Sequence, residues 1–211
     1  MNLPNKKYIA AIDVHAQNTF TPICPNELPV PEGDQIVAQL NQQADFAQYR
    51  IGVKEAHHLS AIWVATEDKP QLTKIEGRNV DVTWRAHSIV GTKGFELIKG
   101  LPEITEYDYY VWQGIEDHLH PYGVCYHDME EKLSTGIIEY LRCQQIKTVL
   151  VGGLATDYCV KISVLQLLKA GFEVIVNLAA CRGLMVDSTD EAIATMKHAG
   201  AQFVESVDAF S

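Results

Sequence analysis

Thr148-Val149-Leu150-Val151-Gly152-Gly153-Leu154-Ala155-Thr156-Asp157-Tyr158-Cys159-Val160 is the stretch whose reading decides the fold. Thr148 to Val151 forms a continuous, largely apolar run, the pattern of a parallel strand buried on both faces. Two glycines break the run. Beyond them Val160, Val164, Leu167 and Leu168 recur at helical spacing, and Gly171 stops the helix. Strand, tight turn and helix in that order put the turn at the carboxyl edge of an α/β sheet, where such folds keep their ligand sites. Thr156 or Asp157 is suited to cap the helix, which places Cys159 in its first turn. There the helix dipole and free backbone N–H groups favour a thiolate over a thiol. Taken alone, Cys159 also fits a small inert residue at a strand–helix junction. The remainder of the chain tips the balance toward chemistry.

Working outward, Tyr8 to Ile12 reads as strand one and ends in Asp13, a carboxylate at the strand's carboxyl end. Residues 15–33 form a long polar loop of the kind that carries function. Asp34 to Phe46 has helical spacing, Tyr49 to Val53 reads as strand two, and Phe95 to Leu101 as a short helix. Tyr107 to Trp112, aromatic and β-branched, is strand three. A histidine-rich loop follows over residues 115–128, and its histidines read as solvated. Met129 to Gln144 is an amphipathic helix, Phe172 to Asn177 strand five, Asp187 to Ala199 a helix, and Ala201 to Glu205 a last strand. Short apolar strands alternating with amphipathic helices predict parallel pairing through right-handed crossovers. The expected fold is a three-layer αβα sandwich around a six-stranded, mostly parallel sheet with strand one in the middle, as one domain over residues 1–211.

Composition narrows the function classes. A net charge of −10 on 211 residues argues against nucleic acid, whose phosphates need a basic face. No apolar run approaches the ~20 residues of a membrane span, and the basic start of the chain leads into an apolar run that Asp13 interrupts, unlike a signal peptide. Five cysteines with no CxxC pair read as reduced thiols of a cytoplasmic protein. Gly152-Gly153 lacks the third spaced glycine of a dinucleotide fingerprint.

Asp13, Gln17-Asn18-Thr19-Phe20 and Val30-Pro31-Glu32-Gly33-Asp34 together resemble the opening of the isochorismatase-like cysteine hydrolases, above all their nicotinamidase branch. The resemblance continues in order through Glu55-Ala56-His57, Trp84-Arg85-Ala86-His87 with Gly91-Thr92, Gln113-Gly114, Tyr122 and the Gly153 to Val160 stretch. It implies attack by the Cys159 thiolate on an amide carbonyl, loss of ammonia and hydrolysis of a thioester. Asp13 would be the base that moves the proton. Backbone N–H groups of Ala155 and Cys159 would form the oxyanion hole, beside a cis peptide between Leu154 and Ala155. Phe20, Trp84 and Tyr122 would wall a slot for a pyridine ring. Glu55, His57 and His87 would hold a divalent metal ion, with zinc, iron and manganese all compatible; His58 is a further candidate ligand. Related proteins often self-associate, which extends the expectation to a homo-oligomer.

Three departures from the family pattern stand out. Gln113 occupies the place of the family's catalytic lysine, so the cation that favours the thiolate is missing; Lys54 and Lys93 are the nearby candidates to replace it. On this reading Gln113→Lys changes amidase turnover. Glu55 replaces an aspartate and lengthens the metal ligand by one methylene. His15-Ala16 read as extra residues between the base and Gln17. The expected activity is therefore hydrolysis of nicotinamide or a similar heteroaromatic amide. The alternatives are another small amide or ureido substrate, or a low-activity binding protein.

Overall fold

The computed structural model describes residues 1–210. Six strands, β1 (Ile9–Val14), β2 (Tyr49–Glu55), β3 (Tyr109–Gln113), β4 (Thr148–Leu154), β5 (Glu173–Arg182) and β6 (Gln202–Val204), form one sheet in the order β3-β2-β1-β4-β5-β6. Every neighbouring pair is parallel, and β1 lies between β2 and β4, as the alternating pattern predicts. Four α-helices, α1 (Val37–Ala44), α2 (Ile137–Cys143), α3 (Lys161–Lys169) and α4 (Val186–His198), complete the regular structure. None is long and apolar enough to cross a membrane.

Side chains alternate between the two faces of a strand, and the two cores show it. Ile12, Val14, Val149, Val151, Val174 and Val176 pack with residues of α2, α3 and α4, among them Leu141, Val164, Leu167 and Met196. Ile9, Ala11, Leu150 and Ile175 face the other way, against Ala44, Phe46, Val207 and Phe210. Asp13 shares the parity of Ile9 and Ala11, a fact that decides its role below.

Several boundaries differ from the sequence expectation, each for a local reason. Gly152 and Gly153 do not break β4 but lie within it. Gly153 has φ +138°, and a Cβ there would stand 2.0 Å from the Val14 carbonyl oxygen, so only glycine lets the two strands meet. The pairing with β5 slips between Val151 and Gly153. The expected helix from Met129 forms only from Ile137, because Asp128 Oδ1 accepts the backbone N–H groups of Lys132 and Leu133, both at 2.9 Å, and holds that stretch as a loop. Phe95 to Leu101 is turn rather than helix. Its groups instead bond to the loop after β1: Asn18 N–H to Glu96 O at 2.9 Å and Ile98 N–H to Ala16 O at 3.1 Å.

Candidate active site

The turn carrying Cys159 is a π-helical turn, Thr156–Val160, that leads into α3. Neither Thr156 nor Asp157 caps it. Asp157 reaches across instead and accepts hydrogen bonds from the N–H groups of Leu184 at 3.0 Å and Met185 at 3.3 Å and from Ser188 Oγ at 2.6 Å. The peptide between Leu154 and Ala155 is cis. Cys159 is buried, and its thiol donates to Glu55 Oε1 at an Sγ–O distance of 3.7 Å. Burial, with the Glu55 charge added, pushes the thiol well above its usual range, against the pull of a hydrogen bond from the Ala155 backbone. In this setting the sulfur is a thiol at neutral pH, and a base must take its proton.

Asp13 is not that base. Its side chain leaves β1 on the face opposite Ile12 and Val14, where Oδ2 accepts Arg50 Nε at 2.9 Å, Arg50 Nη2 at 2.7 Å and the Tyr107 hydroxyl at 2.9 Å. It is absent from the pocket that Cys159 lines. Burial raises its carboxyl pKa, while Arg50 and Tyr107 pull the other way. The side chain of this segment that does reach the surroundings of Cys159 is His15. Just beyond β1 the chain turns at His15, with φ +44°, and carries the imidazole to the sheet edge. His15, Glu55 and Cys159 each offer an atom within 4.8 Å of the others. His15 Nδ1 lies 3.4 Å from Glu55 Oε1, and its Nε2 lies 3.1 Å from Gln113 Oε1. His15-Ala16 are thus no insertion: the family aspartate sits two residues before the glutamine, and the residue two before Gln17 is His15. Burial pushes the His15 pKa down, against the opposite pull of the Glu55 charge and the Gln113 hydrogen bond.

Glu55 and Gln113 end β2 and β3 on the same side of the sheet, which brings both to this edge. Lys54, one residue earlier on β2, faces away; its ammonium sits 3.6 Å from the centre of the Phe95 ring, and burial lowers its pKa to about 8. Lys93 is exposed. Neither takes the place of the family lysine.

The second carboxylate oxygen of Glu55 faces a group of imidazoles. Oε2 is 3.1 Å from both His57 Nε2 and His87 Nε2. His57 Nδ1 donates to Gly114 O at 2.8 Å and His87 Nδ1 to Arg85 O at 2.7 Å. Carbonyl oxygens only accept, so in the neutral rings both Nε2 atoms turn a lone pair toward the carboxylate. Three electron-rich atoms in contact call for a cation between them. His120 completes the set: it is buried, neither nitrogen has a hydrogen-bond partner, and it groups with His57 and His87 within 4.8 Å. Burial and the neighbouring His57 push its pKa well down, which leaves it a bare ligand. Despite burial, the neighbouring histidines hold the Glu55 carboxyl well below its usual range. Glu55, His57, His87 and His120 therefore fit a divalent cation, with backbone carbonyls fixing two of the rings from behind. Trp63 packs against the edge of both rings, 4.6 Å from His57 and 4.5 Å from His120 by centroids, and donates to Leu119 O at 3.0 Å.

His120 and Trp63 carry no legible signal in the sequence beyond the density of histidines. His118 is exposed as expected, but His120 two residues on is not, and His58 points outward to Ser60. Gly114 matters too: with φ +82°, a Cβ there would stand 2.4 Å from His57 Cε1. Gly114→Ala is expected to displace His57 and lower the metal content of the purified protein severalfold, as elemental analysis would read.

Phe20, Trp84 and Tyr122 line one small pocket with Cys159, Glu55, His87 and His120. Leu28, Val30, Ala155, Tyr158 and Leu184 close it. Trp84 Nε1 donates to the Tyr122 hydroxyl at 3.0 Å, which donates to Asp81 at 2.8 Å, so both rings are held in place.

Residues 124–208 match the model of the isochorismatase domain. A solved nicotinamidase/pyrazinamidase from Acinetobacter baumanii superposes with a TM-score of 0.87 at 30% identity, over 97% of this chain and 98% of that one. The nicotinamidase of Acinetobacter baylyi is 28% identical over 93% of this chain and 92% of its own length. A pyrazinamidase of Pyrococcus horikoshii, solved in complex with zinc, gives a TM-score of 0.75 at 26% identity over 93% of this chain and 98% of that one. The chain belongs to the isochorismatase-like hydrolase family, in its nicotinamidase branch.

Proposed function

We propose that this chain is an amidohydrolase that converts nicotinamide, or a closely similar heteroaromatic carboxamide, to the acid and ammonia. The observation that carries this reading is a buried cysteine at the wall of a small aromatic pocket, grouped with His15 and Glu55 and beside a second group of three histidines. The curated relatives of this length are nicotinamidases. The same reading places the enzyme in the cytoplasm, in salvage of pyridine nucleotides.

The chemistry follows from the residues. A flat ring enters between Phe20, Trp84 and Tyr122 and brings its carboxamide to Cys159. The Cys159 S–H bond breaks as the sulfur bonds to the carbonyl carbon, and the proton passes to His15 Nδ1. Backbone N–H groups of Ala155 and Cys159 receive the developing oxyanion. As the C–N bond breaks, His15 returns the proton to the leaving nitrogen, which departs as ammonia. Water then attacks the thioester and gives one proton to His15, which returns it to the departing sulfur as the C–S bond breaks. The acid released loses its remaining proton to solvent and becomes the carboxylate. Glu55 Oε1, 3.4 Å from Nδ1, accepts a hydrogen bond from the imidazolium formed on the way. A divalent ion held by Glu55, His57, His87 and His120 would supply a positive anchor for a ring nitrogen or a water; zinc, iron and manganese all suit these donors.

Ammonia release measured over a panel of nicotinamide, pyrazinamide, aliphatic amides and ureido compounds tests the reading. Nicotinamide or pyrazinamide is expected to be the best substrate, with activity lost on chelation, regained with zinc, iron or manganese, and abolished in Cys159→Ala. A panel led by ureido compounds, or no turnover by the metal-loaded protein, would refute it.

A further inference from the structure

We propose that Glu27 is a positioning residue for the metal set: its carboxylate fastens the backbone of Ser88, the residue after His87, and so sets how tightly the chain holds a divalent ion. The proposal rests on the assignment of Glu55, His57, His87 and His120 as ligands, and it extends that set to the long loop after β1.

His87 and Ser88 lie outside any helix or strand, so contacts from elsewhere must fix their place. Ser88 has φ +50°, a left-handed conformation that a residue with a side chain keeps only where its surroundings hold it. Two oxygens do the holding. The Ser88 N–H is shared between Thr19 Oγ1 and Glu27 Oε2, both at 3.1 Å. The Thr19 hydroxyl donates its one hydrogen to the same Glu27 Oε2, so hydroxyl and amide converge on one carboxylate oxygen. Thr19 and Ser88 are fully buried, where an unmet hydrogen is costly. On the other side of the same residue, Ser88 O accepts the His57 N–H at 3.0 Å, and His57 O accepts the Val90 N–H at 3.2 Å. A shift at Ser88 therefore moves His87 directly and His57 through its backbone. The loop that carries Glu27 also grips a third ligand: Gln17 Oε1 accepts the Glu55 N–H at 2.7 Å, and its Nε2 donates to Glu55 O at 2.9 Å. Glu55 and His87 come from separate parts of the chain, and this one loop holds both, with Glu55 Oε2 3.1 Å from His87 Nε2. Outer partners of this kind orient the ligands of a metal and set its affinity. Gly94 leaves room for the carboxylate, since a Cβ there would stand 2.2 Å from Glu27 Oε1.

The test is a competition for zinc between the zinc-loaded protein and a chromophoric chelator, read at a temperature where circular dichroism shows the metal-free proteins folded. Glu27→Ala is expected to raise the zinc Kd by about 10–100-fold, the range for loss of an outer partner. Glu27→Gln, which keeps an acceptor oxygen and removes the charge, is expected to keep most of the wild-type affinity. Gly94→Ala leaves Glu27 in the chain but crowds its carboxylate off Ser88. It is expected to weaken zinc binding in the same direction, and it decides the matter if Glu27→Ala does not fold. A general loss of stability lowers the Tm of the metal-free protein without changing the zinc affinity of the folded one. An unchanged Kd in Glu27→Ala or in Gly94→Ala overturns the proposal. So does a Glu27→Gln protein as weak as Glu27→Ala, which would mean that the charge attracts the cation from a distance. Because zinc is measured without turnover, a protein that binds it tightly and hydrolyses no amide refutes the proposed reaction and leaves this assignment standing. A wild-type protein that takes up no zinc overturns the ligand set and this assignment together.

Discussion

His15→Asn is expected to lower kcat on nicotinamide by about 10³-fold, and the pair His15→Asp with Gln113→Lys to recover much of that loss. Proton transfer by a positioned base is typically worth about 10²–10⁴ in rate, and the Cys159 thiol, raised by burial and by Glu55, depends on it fully. His15→Asp alone puts a second carboxylate beside Glu55 and the sulfur with no cation to offset it. Gln113→Lys alone replaces the amide oxygen that His15 Nε2 meets at 3.1 Å with an ammonium, which has no carboxylate at residue 15 to pair with. Together the two replacements form an ion pair, the combination that the family's aspartate and lysine imply. The expected coupling is about 0.5–3 kcal/mol in a double-mutant cycle on kcat/KM, the range for residues in direct contact. Strictly additive losses would show that residues 15 and 113 do not act as a unit.

Asp13→Asn is expected to do the reverse, lowering stability and sparing turnover. It removes the charge that two guanidinium nitrogens of Arg50 and the Tyr107 hydroxyl converge on. Breaking a buried pair costs about 3–5 kcal/mol. The Arg50 side chain is 13% exposed, so about 2–3 kcal/mol is a fairer figure, or a fall in Tm of about 5–10 °C for a domain of this size. Well below that Tm, kcat on nicotinamide should stay within about twofold of wild type. A loss of about 10²-fold or more in kcat with Tm unchanged would return Asp13 to the catalytic role the sequence suggests.

The contrast between these variants marks where sequence reasoning reaches its limit. The sheet was legible because an apolar strand followed by an amphipathic helix admits few parallel arrangements. The aromatic slot and Cys159 were legible from short motifs of ordered residue types. Strand parity was the missing piece at the base. A carboxylate at the end of β1 looks catalytic until one asks which face it leaves by, and Asp13 leaves with Ile9 and Ala11. His15 escapes notice because the residue that matters lies one turn of backbone past the strand, at a positive φ that no hydrophobic pattern encodes. His120 escapes for another reason. Its place among the ligands depends on Trp63, some sixty positions away, holding the Leu119 carbonyl. Burial of one histidine and exposure of its neighbour but one is a property of that contact and not of local composition.

Asp157 ties the turn of the reactive sulfur to the chain opposite by way of main-chain amides at 184 and 185, while the Leu184 side chain itself faces the pocket. Anchor and lining are thus separate parts of one residue. Exchange of Leu184 for a smaller or larger side chain can recontour the cavity while the fastening that locates Cys159 stays put, so the shape of the pocket is open to change at this position without disturbing the turn of the buried sulfur.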